Sequence, residues 1–469
     1  MRENKKFDAV FVGSSLVSLA AAVALAKRGR SVALLDRPDD LASRVPDPTF
    51  HFSLGPFLYL GFEEGGAAEG FFSELALPIP TLKKKGLSYK KNIPYLQVVQ
   101  ARHRVDLHLQ KEDYLDELKR EFGGQLQQIK TFLETIEKEE ALLYPYIGKF
   151  SQVELSGLGD RLNAWRQRLQ FLQTVRNHQK KSATEFLAPF EFQPDFIEYL
   201  NLLSLFAFRK PLTEISSYDL ILLISGLQKG GVRMVGGYFT LLDFFRKLIK
   251  EHGGEIIENG KVLRADLSGK KVDGLFLEGG ALLSGHHLIL TQAPSNAAVT
   301  FYFTIRRDWI PSPMKESILM TWGEEVPPDA EDILILRLSL PEEEKEFPPG
   351  YRGLAVTCVL RSNVSAEAVR LEEIKSRLLA RLQWLIPFSK SEIKEVPHRS
   401  AAADLFFPFE LEKSWNENSK KISKGVLAYL QPKEAKNVFI LPSDLSGHLG
   451  WGSAFLAAVT LTDLIEGNR

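Results

Sequence analysis

Residues 9–36, AVFVGSSLVSLAAAVALAKRGRSVALLD, constrain the fold more than any other stretch of the chain. Val10, Phe11 and Val12 form a short apolar run with the character of a strand buried on both faces. Gly13 allows a sharp turn, Leu16–Lys27 is built from good helix formers, and Gly29 ends that helix. Ser31–Leu35 reads as a second buried strand that delivers Asp36 at its carboxyl end. A strand–turn–helix–strand unit of this kind aims backbone N–H groups and the positive end of a helix at a pyrophosphate, while the acid accepts from ribose hydroxyls. The separation of Gly13 from Asp36 is that of the dinucleotide-binding fingerprint, about 20 residues.

Where that fingerprint carries three glycines, the chain reads Gly13-Ser14-Ser15-Leu16-Val17-Ser18 and keeps only the first. The second glycine normally lets backbone approach phosphate, and the third packs helix closely on strand. Ser15 and Ser18 are still small, and the Ser15 hydroxyl is a candidate donor to a phosphate oxygen.

The 469 residues suffice for two or three domains. With 59 basic and 59 acidic residues, the balanced charge argues against a general nucleic-acid binder. The single cysteine, Cys358, excludes an internal disulfide and any Cys-x-x-Cys motif, and its apolar neighbours point to a buried strand thiol. The first apolar run leads straight into the opening unit, so no secretory signal is expected. Apolar stretches break short of the ~20 residues of a spanning helix. A soluble cytoplasmic protein is expected, with contact at a membrane surface left open.

Beyond Asp36, Phe50, Phe52 and Leu54 alternate as in a strand and Gly55-Pro56 is a turn. Strands are expected over 95–99 and 103–109. Residues 111–229 form a helical block, with Asp113 as a candidate N-cap and amphipathic runs at 125–144, 162–175 and 194–208. The runs 196–206 and 220–224 are apolar almost all round, which fits burial, the wall of an apolar cavity, or contact with lipid. Gly236-Gly237 opens a helix over 241–252, and short strands with glycine turns follow to residue 290. Strands at 333–338 and 354–360 and a helix at 366–385 form a second pass. The tail is a strand ending in Asp444, the loop Gly450-Trp451-Gly452, and a helix over 453–465. Lys83–Lys85 and Lys180-Lys181 read as solvated faces. His286-His287 lie next to each other on a strand, so they point to opposite faces and form no metal site. His448 lies in a polar turn. No Ser-His-Asp, zinc or P-loop pattern occurs, and no catalytic residue is assigned.

Three segments together resemble the phytoene desaturase-like branch of the FAD-dependent amine oxidase superfamily. The first is the opening unit, followed by Ala42-Ser43-Arg44 where the family has Gly-Gly-Arg, and Phe52-Ser53-Leu54-Gly55-Pro56 where it has Phe-Asp-x-Gly-Pro. The second runs from Gly236-Gly237-Tyr238 through Gly253-Gly254-Glu255-Ile256 to Val262 and Val272-Asp273-Gly274-Leu275. The third is Asn437–Asp444, similar to Asn-Leu-Tyr-Leu-Ala-Gly-Asp with Pro442-Ser443 for Ala-Gly.

The resemblance implies an α/β fold, a Rossmann-like FAD-binding domain (1–80, 230–295, 437–469) interleaved with a mixed-sheet and helical substrate domain (81–110, 297–436, with the helical block 111–229). It implies that Gly13, Ser14, Ser15 and Leu16 face the pyrophosphate and Asp36 the ribose. Arg37, Ser43 and Arg44 lie near the phosphates or flavin, Val262 near adenine, Asp444 near ribityl or pyrophosphate oxygens, and Gly450, Trp451 and Gly452 under the flavin. The expected activity is FAD-dependent desaturation or oxidation of an apolar, isoprenoid-like small molecule in a tunnel walled partly by 196–206 and 220–224. Five glycines of the family's cofactor motifs are replaced here. A second reading is therefore a cofactor-free protein of the same fold that binds or escorts an apolar ligand. The oligomeric state is open.

Overall fold

The computed structural model describes residues 6–36, 58–147, 177–291, 298–360, 368–396, 437–441 and 452–467, except for 64, 92, 93, 209, 259, 269, 270, 324, 325, 327–329, 388 and 390. The expected strand at 50–54, the turn at 55–56, the helix at 162–175 and His448 lie outside the described residues.

The chain opens with β1 (Lys6–Val12), α1 (Leu16–Lys27) and β2 (Val32–Leu35), at nearly the bounds the sequence predicts. The helix α2 (Ala67–Glu74) leads to β3 (Tyr89–Lys90) and the hairpin of β4 (Leu96–Val99) and β5 (Arg104–Leu107). The helical block comprises α3 (Lys111–Phe122), α4 (Leu126–Ile147), α5 (Ala183–Leu187), α6 (Pro194–Phe208) and α7 (Ser217–Gln228). After β6 (Arg233–Met234) come α8 (Gly237–Glu251), β7 (Glu255–Ile257), β8 (Val262–Ser268), β9 (Lys271–Leu277) and β10 (Leu282–Thr291). The second pass holds β11 (Ala298–Arg306), β12 (Ser317–Thr321), β13 (Ala330–Leu338), β14 (Tyr351–Leu360), α9 (Ala368–Leu385) and β15 (Ile393–Glu395). The tail is β16 (Val438–Leu441) and α10 (Gly452–Gly467). Asp113 is not the N-cap of α3. Gln110 takes that place, and Asp113 joins Glu112 in the first turn, where an acid also complements the helix dipole.

In the first sheet β7, β2, β1, β10 and β16 pair in parallel, and the meander β8–β9 joins β10 antiparallel. Alternation sorts its side chains. Ala9, Phe11, Leu34, Ile289 and Phe439 pack under α1, while Val10, Val12, Ala33 and Leu35 pack with Val272, Leu275 and Leu277 of the meander. Every residue of α1 from Leu16 to Ala26 is buried. Its alanines let it sit close to the sheet between α8 and α10, and Phe62, Phe71, Phe72, Phe245 and Phe455 form one aromatic cluster in the same core. Arg28 fastens the end of α1 to α10 through Asp463 at 3.1 Å and Glu466 at 2.8 Å.

The second sheet runs β15-β11-β14-β13-β12-β4-β5, antiparallel except where β12 meets β4. Ile318, Met320, Leu334 and Leu336 face α9 through Ile374, Leu378 and Leu382. Leu319, Ile333 and Ile335 face the helical block, including α6 and α7. Cys358 is fully buried on β14 between these layers, and burial pushes its thiol pKa up.

The expected tunnel along 196–206 and 220–224 is not open among the described residues. Phe196, Tyr199, Leu200, Leu203 and Leu220–Ile224 are buried in a filled core against the sheet. A cavity of about 10 Å³ beside Tyr95, Tyr114, Ile224 and Leu227 has room for roughly one water. Lys83–Lys85 and Lys180-Lys181 are exposed, and no helix among the described residues is long and apolar enough to cross a membrane.

Candidate functional site: the β1–α1 turn and the end of β2

Gly13 continues from β1 with a φ of 100°, a conformation that a side chain disfavours, and its N–H donates to Leu35 O at 2.9 Å. Ser15 is the N-cap of α1, in extended backbone. Its Oγ accepts from the Ser18 N–H at 3.2 Å and donates to Ser18 Oγ at 3.1 Å. The Ser15 hydroxyl is thus engaged in capping, whereas the sequence reading offered it to a phosphate. Ser18, at the third fingerprint position, is completely buried. The two serines that replace glycines therefore bond to each other across the first turn. Leu16 and Val17 follow at positions whose N–H groups find no carbonyl within the helix. No acid occupies the first turn of α1, so no side chain there neutralises its positive end.

Asp36 sits at the end of β2, tied on both sides. Its N–H donates to Ile257 O at 2.9 Å and its carbonyl accepts from Gly260 N at 3.1 Å. Gly260 passes so near β2 that a Cβ there would lie 1.9 Å from Leu35 Cδ1. The Asp36 side chain is fully buried. Ser14 Oγ donates to Oδ1, and Arg246 Nη1 donates to the same carboxylate at 2.6 Å. Arg246 is itself buried, and its other arm reaches the exposed Glu258 at 3.5 Å.

The sequence reading missed Arg246. The signal was present, because Arg246 lies four residues after Leu242 and three before Ile249 on the apolar stripe of α8. A charge inside such a stripe calls for a buried partner. The Gly-Gly turn ahead of that helix has φ values of 77° at Gly236 and 73° at Gly237.

The structure thus brings Gly13, Ser14, Ser15, Leu16 and Asp36 together at one end of the parallel strands. Val262, half-buried, starts β8 opposite Leu277, just past the Gly260 contact with Asp36. Gly452 opens α10. Arg37, Ser43, Arg44, Asp444, Gly450 and Trp451 lie outside the described residues. Among the described residues no cluster of three or more His, Cys, Asp or Glu side chains is placed to hold a metal.

Residues 12–75 match a family model described as an NAD(P)-binding Rossmann-like domain. Solved structures extend the likeness to the whole chain. An oxidoreductase from Methanosarcina mazei aligns with a TM-score of 0.59 at 14% identity, over 97% of this chain and 99% of that one. Putrescine oxidase bound to putrescine aligns with a TM-score of 0.58 at 13% identity, over 99% of this chain and 100% of that one. The RAB GDI of Plasmodium falciparum aligns with a TM-score of 0.55 at 12% identity, over 98% of both chains. At these identities the likeness is one of fold. A search of curated protein sequences returned no match.

Proposed function

We propose that this chain is an FAD-dependent oxidoreductase. The observation that carries the reading is an intact β1–Gly13–α1 turn joined to a two-sheet fold similar, over its full length, to an oxidoreductase and to putrescine oxidase. The pyrophosphate side fits FAD: Gly13 supplies the turn, and the start of α1 offers N–H groups unmet among the described residues and no acid in its first turn. On the ribose side, Asp36 already holds Ser14 and Arg246, so ribose hydroxyls take up the carboxylate by displacing one of them.

Gly13, Ser14, Leu16 and Asp36 would hold the adenosine diphosphate part. Ser15 acts indirectly, by capping the helix that faces it. The resemblance adds Arg37, Ser43, Arg44, Val262, Asp444, Gly450, Trp451 and Gly452. FAD, when bound, supplies a two-electron acceptor for hydride leaving the substrate. The chain's own contribution is positional. Arg246 and Ser14 both donate to the Asp36 carboxylate and fix its direction, and the sheet under α1 holds the turn rigid. No side chain is assigned as acid or base. The substrate class we propose, an apolar isoprenoid-like molecule, rests on the family resemblance and on Phe206 and Phe208, which are only partly buried at the edge of the helical block.

The visible spectrum of freshly purified protein, followed by titration with FAD, tests this reading. Flavin bands, or saturable uptake of added FAD, are expected. A colourless protein that takes up no FAD would overturn it. The buried Asp36–Arg246 pair favours one alternative, a cofactor-free protein of this fold. That reading expects FAD uptake only in a Ser15→Gly/Ala42→Gly variant.

A further inference from the structure

A cleft of about 330 Å³ opens at the second sheet between the β4–β5 hairpin, the Pro311–Met314 segment and the end of α9, and it shares no residue with the dinucleotide turn. Gln100 lines it at the tip of the hairpin, where its N–H donates to His103 O at 2.8 Å. The side chain is 4% exposed, and neither its Oε1 nor its Nε2 has a hydrogen-bond partner among the described residues. Buried carboxamides are almost always paired. Here a donor and an acceptor stand side by side on one planar group, both unmet. A ligand edge carrying the opposite pair satisfies both.

Arg104 lines the same cleft. Its Nε is buried without a partner, and the side chain forms no ion pair among the described residues. Exposed Arg102 adds a second positive charge at the rim. The acid nearby, Glu121, is already committed. It accepts from the Arg104 N–H at 3.1 Å and pairs with His103 at 3.3 Å and Arg120 at 2.9 Å. Opposite lies Trp384, 49% exposed although large and apolar. The Arg381 guanidinium covers one face of its ring at 3.8 Å from the centroid and is anchored by Nε donating to Thr321 O at 3.0 Å. An exposed indole held in place this way is a stacking platform.

We propose that this cleft binds a small planar heteroaromatic carboxylate with a lactam edge. The lactam N–H and C=O pair with the Gln100 carboxamide, the carboxylate meets Arg104 and Arg102, and the ring lies against Trp384. The assignment is independent of the flavin reading.

Orotate is the probe, titrated into the full chain by calorimetry and tryptophan fluorescence. Uracil, which keeps the lactam edge without the charge, and benzoate, which keeps ring and charge without the lactam, are the comparison arms. Orotate is expected to bind at least about tenfold more tightly than either, since each lost polar contact is worth roughly that factor. Gln100→Leu, Arg104→Met and Trp384→Ala are each expected to weaken orotate by about tenfold or more. Trp384 is half-exposed, so its replacement keeps the test open should the buried substitutions fail to fold. Four results would overturn the proposal: no binding at millimolar orotate, equal binding of benzoate, binding unchanged in the folded variants, or binding lost in Asp36→Asn but kept in Trp384→Ala.

Discussion

Arg246 Nη1 lies 2.6 Å from the Asp36 carboxylate, although the two residues are 210 positions apart and both are buried. A pair like this is worth little beyond its own desolvation, but breaking it leaves one charge stranded. Arg246→Met should destabilise the protein by about 3–5 kcal/mol, even though Ser14 still donates to the Asp36 carboxylate. Asp36→Asn should cost less, because Arg246 retains Glu258 at 3.5 Å. In the double variant the losses should fall short of their sum by about 1–3 kcal/mol, measured as a double-mutant cycle in urea. Additive losses would mean that the pair does not act as a unit.

The sequence made the opening βαβ unit legible because its signals are local. Apolar runs of strand length, an alanine-rich helix and a terminating glycine set the bounds of α1, and the structure keeps them at Leu16–Lys27. Asp36 was legible as the strand-end acid, but its partner was not, since only the fold brings the stripe of α8 over the end of β2. The filled helical block has the same cause. The all-round apolar surface of 196–206 fits a tunnel wall or a core equally well, and the choice falls to the far face of the sheet, where Leu319, Ile333 and Ile335 supply the packing. Gln100 gave no sequence signal, since an amide at a hairpin tip is ordinary on a surface.

Ser15 stands where the fingerprint has its second glycine, and its cap on Ser18 explains how the site tolerates the change. Ser15→Ala should lose about 1 kcal/mol and Ser15→Gly only a few tenths. Equal losses in thermal melts of the two variants would show that the hydroxyl contributes nothing there.

Glu63 carries a pH-dependent penalty. Burial raises its carboxyl pKa above the ordinary 4.5, against weaker lowering by its own backbone and by Lys229 and Lys91. Its Oε2 is buried without a partner among the described residues. The native state therefore holds this proton more tightly than the unfolded chain. The resulting stabilisation is complete below the ordinary value and is lost as pH rises through the raised one. Glu63→Gln should leave the melting temperature unchanged near pH 4 and raise it near neutrality, by roughly 1–2 °C per kcal/mol relieved in a chain this long. A gain that is the same at both pH values would show that shape, not charge, is responsible.

Asn437 closes the first sheet. Its Nδ2 donates to Val272 O at 2.8 Å and to His286 O at 3.1 Å, and its Oδ1 accepts from Val272 N at 2.9 Å. Its own carbonyl accepts from Leu288 N at 2.9 Å, where β16 begins to pair with β10. One side chain thus ties the last strand to both β9 and β10, which is why an asparagine stands ahead of an otherwise apolar strand. Asn437→Leu is close in size but strips three hydrogen bonds from buried backbone groups, and leaving such groups unmet costs about 1–3 kcal/mol each. The expected loss is at the upper end for a single substitution, about 3–4 kcal/mol. Hydrogen exchange locates it: faster exchange should be confined to the Val272 and Leu288 amides and to β16, with the β11–β14 ladder unchanged. Faster exchange spread evenly over both sheets would show instead that Asn437 supports the fold globally rather than this junction.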